Sequence, residues 1–306
     1  MKIKLLTTII AGVLLAGCGG GNDNSVDGGG GQTPDTHTLQ AFDPAIINMI
    51  AKYDCGDEKT GTLTSRTAYS GKVTTKDENV IADPSACSFT FTGDENTQDV
   101  TNGKSMNGVT YTIPKGLAQK NQLVTASPLT TYLTKKLNGA AFTEAAANEA
   151  LAELGLDGLV NKGRISNVTE LFSNTEAVIN ALPSDSKDRG TILATTMVLS
   201  DTLKSLQGES FEEIATVTKT ITASVTAEYP FYPAVGKDAP TDELIYLDVK
   251  DTATKVKENP EADVTLPKSK PAVKVPEDTK PVPPPTGGTG GTGGSGDGGS
   301  GGGNGN

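Results

Sequence analysis

The chain has no tryptophan, one histidine and three cysteines in 306 residues, and aromatic residues make up only 5% of it. So few flat rings leave little for stacking on sugars or bases. Positive charge is also short: 26 Lys and Arg stand against 37 Asp and Glu, a formal net charge of -11. Such a surface repels phosphate backbones, so nucleic acid is not an expected partner. The one histidine, His37, falls in a segment read below as a spacer, where a Ser–His or Cys–His pair would have to recruit a mobile imidazole. A Gly-x-Ser-x-Gly elbow, a P-loop and a Cys-x-x-Cys-His haem motif are all missing. No catalytic residue, metal ligand or cofactor is therefore assigned. Acid–base chemistry is left to carboxylates such as Asp54, Asp57 and Glu58, or Glu212 and Glu213.

What is present begins at the amino terminus. Lys2 and Lys4 precede an apolar run from Leu5 to Ala16, broken only by Thr7 and Thr8. A run this short does not span a bilayer, which takes roughly 20 residues, but it suits the apolar centre of an export signal. It ends in Leu15, Ala16, Gly17 and Cys18. This ending resembles the lipobox of bacterial prolipoproteins. The resemblance implies cleavage before Cys18, a diacylglyceryl thioether on its sulfur and an acylated amino terminus. Two or three acyl chains hold a protein stably to a membrane. Gly19 stands where the family's inner-membrane retention signal places Asp, which favours the outer membrane, facing the cell surface or the periplasm.

Composition then divides the chain. Residues 1–17 are the expected signal peptide. Residues 18–41 are the lipidated Cys and a Gly-rich linker with too little apolar surface to fold. In residues 260–285, 8 of the 17 prolines alternate with Lys, Val and Glu, and 13 glycines fill residues 287–306. The stretch from 255 onward is read as a disordered tail, a semi-rigid proline spacer and then a polar glycine run. Between the two ends the hydrophobic period changes once. Alternation over Cys87–Thr92 and Val109–Ile113, with Phe89 and Phe91 on one face, predicts a small antiparallel β module over 42–115.

Beyond it, Ser127 and Pro128 form an N-cap with proline in the first helical position. Leu129, Leu133 and Leu137 then share a face. Thr143 and Ser184 open further helices, Asn167 to Glu170 has capping-box spacing, and Ser210 to Glu213 is a full capping box ahead of Ile214, Val217, Ile221 and Val225. These predict an α-helical bundle over 116–254. Residues 243–249 fit either a short strand or a last helical turn. The fold expected is thus α+β: a disulfide-linked β module followed by a helical bundle. The run Ser127, Pro128, Leu129, Thr130, Thr131 is similar to a segment that recurs in exported bacterial lipoproteins and surface proteins, where it opens a helical part behind a β module.

With Cys18 lipidated, Cys55 and Cys87 remain as an even pair, and in an exported chain such a pair normally becomes a disulfide. The alternatives are two free thiols or a metal site, which would need two more ligands where His37 is the one histidine. Closing a loop of about 30 residues stabilises by roughly 3 to 4 kcal/mol in the chain-entropy model. Tyr229, Phe231 and Tyr232, interleaved with Pro230 and Pro233, form the one tight aromatic cluster. It is read either as a cap on the helical core or as a partner-binding knob. The function expected is non-enzymatic: a lipid-anchored envelope protein that serves adhesion or assembly by binding another envelope protein or an extracellular polysaccharide. The alternatives are a periplasmic accessory lipoprotein of a secretion, pilus or polymer-export machine, and a carboxylate-dependent hydrolase.

Overall fold

The computed structural model describes residues 36–284. Cys18, the expected signal peptide and the glycine run at 287–306 lie outside the described residues. The β part contains β1 (His37–Ala41), β2 (Ile46–Ile47), β3 (Ile50–Asp54), β4 (Thr60–Thr62), β5 (Lys72–Thr75), β6 (Ser88–Thr92), β7 (Gln98–Asp99), β8 (Thr110–Ile113) and β9 (Val124–Ala126), with the short helix α1 (Glu78–Ala82) between β5 and β6. A helical part follows: α2 (Pro128–Leu137), α3 (Glu144–Glu153), α4 (Asp157–Asn161), α5 (Val168–Ser173), α6 (Thr175–Ala181), α7 (Lys187–Ser205) and α8 (Phe211–Glu228). The two-residue strand β10 (Ile245–Tyr246), α9 (Lys250–Glu258) and β11 (Lys270–Pro271) complete the chain. The fold is mixed α+β.

The largest sheet is antiparallel, in the order β4-β3-β6-β8. Its register sets Ala51 opposite Phe91 and Phe91 opposite Tyr111, with Tyr53, Phe89 and Ile113 in the next row. All six side chains are buried, so the period-2 alternation of the sequence becomes one apolar face. The Cys55–Cys87 disulfide ties the end of β3 to the start of β6 across a separation of 32 residues. The pairing expected from the sequence is therefore present.

The helices begin where their caps stand. Ser127 accepts from Thr130 N, and Thr130 returns a bond to the Ser127 amide. Ser210 and Glu213 close a reciprocal box on α8. Asn174 interrupts the helix expected from Asn167 onward. Its backbone leaves the helical region, and its side chain restarts α6 by accepting from Ala177 N. The cap of α7 is Ser186 rather than Ser184.

Three expectations need correction. The linker does not run to residue 41, because His37–Ala41 is a buried strand in a second sheet, β5-β1-β9. β1 pairs antiparallel with β5 and parallel with β9; its partners lie far along the chain, so nothing local in the sequence marks it. Residue 115 is not a core boundary. One continuous cluster of buried side chains runs from Leu39 through Tyr111 and Leu129 to Val256. The change of period marks a change of secondary structure within a single core. Residues 243–249 hold a two-residue strand, and α9 then crosses the expected start of the tail at 255.

The proline-rich stretch is not a free spacer as far as residue 284. It lies along the β part as a strap. Val273 N donates to Asn102 O, Val275 N to Val100 O and Ala272 N to Leu244 O. Val275 is buried beside Ala45, Ile47 and Val100. Further on, Val282 N donates to the Asn48 side chain, and Arg66 Nε donates to Pro283 O. An extended proline-rich chain keeps the amides of its other residues free, and here backbone carbonyls of the folded body and the Asn48 side chain supply their acceptors.

Candidate functional site

The expected aromatic knob turns inward. Phe231 and Tyr232 are buried, while Tyr229 is half-buried. Gly190 in α7 makes this possible: a Cβ there would stand 2.5 Å from Pro230 O. The loop therefore packs against the helix, and of the three rings Tyr229 alone lines an open groove. That groove has a volume of about 680 Å3 and is also lined by Glu228, Lys237, Val264 and Leu266. The acidic residues Asp54, Asp57 and Glu58 stand exposed at the β3–β4 turn, and Glu213 is occupied as the capping partner of Ser210. His37 is not in a mobile spacer. It is buried on β1, stacks on Phe89 with ring centroids 6.2 Å apart, and its pKa is lowered by burial.

The densest polar chemistry lies where the β part meets α7, in residues the sequence reading passed over. Asp43 follows β1, Asp99 ends β7, Lys104 follows the next turn, Tyr111 is on β8, and Ser200 and Asp201 are on α7. All but Tyr111 are polar side chains of types that seldom lie inside a protein without partners, yet all six are buried. Lys104 Nζ donates to both oxygens of Asp201, at 2.7 and 2.8 Å, and to Leu247 O at 3.3 Å. Asp201 Oδ2 also accepts from the backbone N of Val249, the residue just before α9, at 2.9 Å. The Tyr111 hydroxyl donates to Asp43 Oδ2 at 2.7 Å and lies 2.6 Å from Ser200 Oγ. Asp99 is held locally by Thr101 N, Thr101 Oγ1 and Asn102 Nδ2.

Asp43 Oδ1 is buried and has no hydrogen-bond partner among the described residues. Asp43, Asp99, Lys104 and Tyr232 line one cavity of about 40 Å3, to which the strap contributes Ala272. A space of this size accepts water and excludes a sugar or a peptide.

Burial dominates the electrostatics. It pushes Asp43 well above the usual carboxylate range, against the hydrogen bond from Tyr111 and the charge of Lys104. It raises Asp99 to about 6, against the Thr101 and Asn102 bonds. The Tyr111 and Tyr232 hydroxyls are pushed well up by burial, with the nearby carboxylates adding to it. At Lys104 burial is the largest single effect and works to lower the pKa, but the charge and hydrogen bond of Asp201, joined by the charges of Asp43 and Asp248, together outweigh it, so the value rises. The cluster thus combines a closely held lysine–aspartate pair with a neighbouring carboxyl that favours its neutral form.

A signal for part of this cluster does exist in the sequence. Between Thr191 and Asp201 the helix α7 carries no charged residue, only apolar side chains with Thr195, Thr196 and Ser200 among them, so that carboxylate has no charged, solvated stripe to join. Among the described residues, no helix is long and apolar enough to cross a membrane, and no group of three His, Cys, Asp or Glu is placed to hold a metal ion. No family model matches the chain, and neither a curated protein nor a solved structure matches it.

Proposed function

We propose that this protein is a non-enzymatic component of the bacterial envelope, anchored to the outer membrane through acylated Cys18, whose folded body binds another envelope component or an extracellular polymer. The observation that carries the reading is the Cys55–Cys87 disulfide. A structural disulfide is expected of a chain that matures in an oxidising compartment, and the lipobox-like residues Leu15 to Cys18 supply the route there. In this reading the Gly-rich segment from Gly19 tethers the body to the lipid, and the helices from 128 to 258 form its bundle. The partner surface is the open groove beside Tyr229. Its apolar Val264 and Leu266 and its charged Glu228 and Lys237 give a mixed lining suited to a protein segment or a polymer.

The anchor is tested with Cys18→Ser. The native protein is expected in the membrane fraction with a lipid-modified Cys18 by mass spectrometry, and the variant in the soluble fraction. An unmodified Cys18 in the native protein would overturn the anchor. Protease shaving of intact cells then separates a surface-facing body, which is removed, from a periplasmic one, which is spared. Tyr229→Ala, paired with capture of envelope extract on the wild-type protein, tests the groove: equal capture by both would rule out Tyr229 as a contact.

A further inference from the structure

We propose that Lys104 and Asp201 are a modification site: the two side chains condense spontaneously into an intramolecular isopeptide bond, with Asp43 as the neighbouring acid–base group. The inference is independent of where the protein resides. Three observations carry it. Lys104 Nζ sits within 2.8 Å of both oxygens of Asp201, and the two side chains are only 10% and 3% exposed. The pair joins residues 97 positions apart, in the β part and in α7. Asp43 lines the same cavity as Lys104 and carries a buried oxygen, Oδ1, that no described residue satisfies.

A simple buried ion pair accounts for less of this. Such a pair roughly breaks even against apolar packing, and it has no need of a second carboxyl left half-unpaired beside it. Condensation uses every part. The pair rests as an ion pair, because Lys104 holds its proton more tightly than usual. Reaction starts when that proton passes along the short hydrogen bond to Asp201, giving a neutral amine and a neutral acid in a water-poor interior. The amine lone pair attacks Asp201 Cγ. Val249 N–H, already on Oδ2, stabilises the charge that develops on that oxygen. Neutral Asp43 gives its proton to the departing hydroxyl and takes one back from the nitrogen. Because Oδ1 touches neither side chain directly, both transfers pass through water held in the shared cavity. One C–N bond forms, one C–O bond breaks and one water leaves, with no oxidant, reductant or activated donor required. The cavity has room for that water. Positioning replaces a diffusional encounter, and this accounts for a slow single turnover without an enzyme.

The experiment is intact-mass measurement of the full chain after reduction and alkylation, followed by peptide mapping. The expected result is a mass lower by one water than the same chain without the bond, and a branched peptide joining the segments that contain Lys104 and Asp201. A full sequence mass with two separate linear peptides would overturn the proposal. Lys104→Arg keeps the charge while removing the reactive amine, and its mass should show no loss. Asp43→Asn keeps the shape of the neighbouring group; it is expected to fold, as checked by circular dichroism, and to remain largely unlinked. Complete linkage in Asp43→Asn would overturn the part assigned to Asp43.

Discussion

At one end of the four-stranded sheet, Cys55 and Cys87 fasten two neighbouring strands that already exchange backbone hydrogen bonds. On the other side of the core, Lys104 and Asp201, before any bond forms between them, fasten the β part to α7 through buried charge. The first fastener acts largely on the unfolded chain, by shortening the loop it can explore. The second acts on the folded chain, where each charge depends on its partner because water is excluded. The two therefore fail differently. Cutting the disulfide loosens the unfolded ensemble, whereas removing one charge leaves the other stranded in the core.

Asp201→Ala breaks this comparison most severely. It strands Lys104 and should cost about 3 to 5 kcal/mol, read as a lower denaturation midpoint in urea with CD detection. Cys55→Ser together with Cys87→Ser should cost roughly 3 kcal/mol by the same measurement. A larger loss there than for Asp201→Ala would reverse the ranking of the two fasteners.

Acidity separates the fasteners further. Asp99 has a folded pKa raised to about 6 from 3.8, so the folded state holds its proton more tightly than the unfolded state. Its contribution is fully present below the unfolded value and is lost as pH rises through 6, a change of up to about 3 kcal/mol. Asp43 is shifted in the same direction. Carboxylates with lowered values, such as Asp94, lose their contribution only on the acid side of this window. His37, whose pKa burial lowers, works the other way as pH falls below the ordinary histidine value. With Asp99 and Asp43 both raised, the melting temperature should still rise as pH falls from 7 toward 4.5, and Asp99→Asn should flatten the rise. The disulfide contributes no slope there. The smallest effect comes from a site that touches neither fastener: Ser210→Ala removes the α8 cap and should cost about 1 kcal/mol, independent of pH between 5 and 8.

The disulfide was readable because an even pair of cysteines, in a chain expected from its first residues to be exported, points to a bridge. The starts of α2 and α8 were readable because a cap is local chemistry: Ser127 with Pro128, Ser210 with Glu213. The facing of Phe89 and Phe91 followed from the two-residue period. β1 escaped because His37–Ala41 earns its place only from Val73 and Val124, brought alongside it by the fold. The strap escaped because proline-rich composition describes what a segment does alone, and Val275 lies against partners some two hundred residues earlier, such as Ala45. The charged cluster was the least visible part. Asp43, Asp99, Lys104 and Asp201 are spread over most of the folded sequence, and a lone charged residue on paper resembles every solvated one.

The strap also sets where a pulling force enters the molecule. Its last described contacts, Val282 on Asn48 and Pro283 on Arg66, are with the β part, and the first described strand, β1, lies in the middle of a β-sheet. Tension applied between the two ends of the described chain is met first by the pairings of β1 and the grip on the strap. The helices from α2 to α8 lie between those two in the chain and share the core with the β part, so the load reaches them only after one of the two has given way.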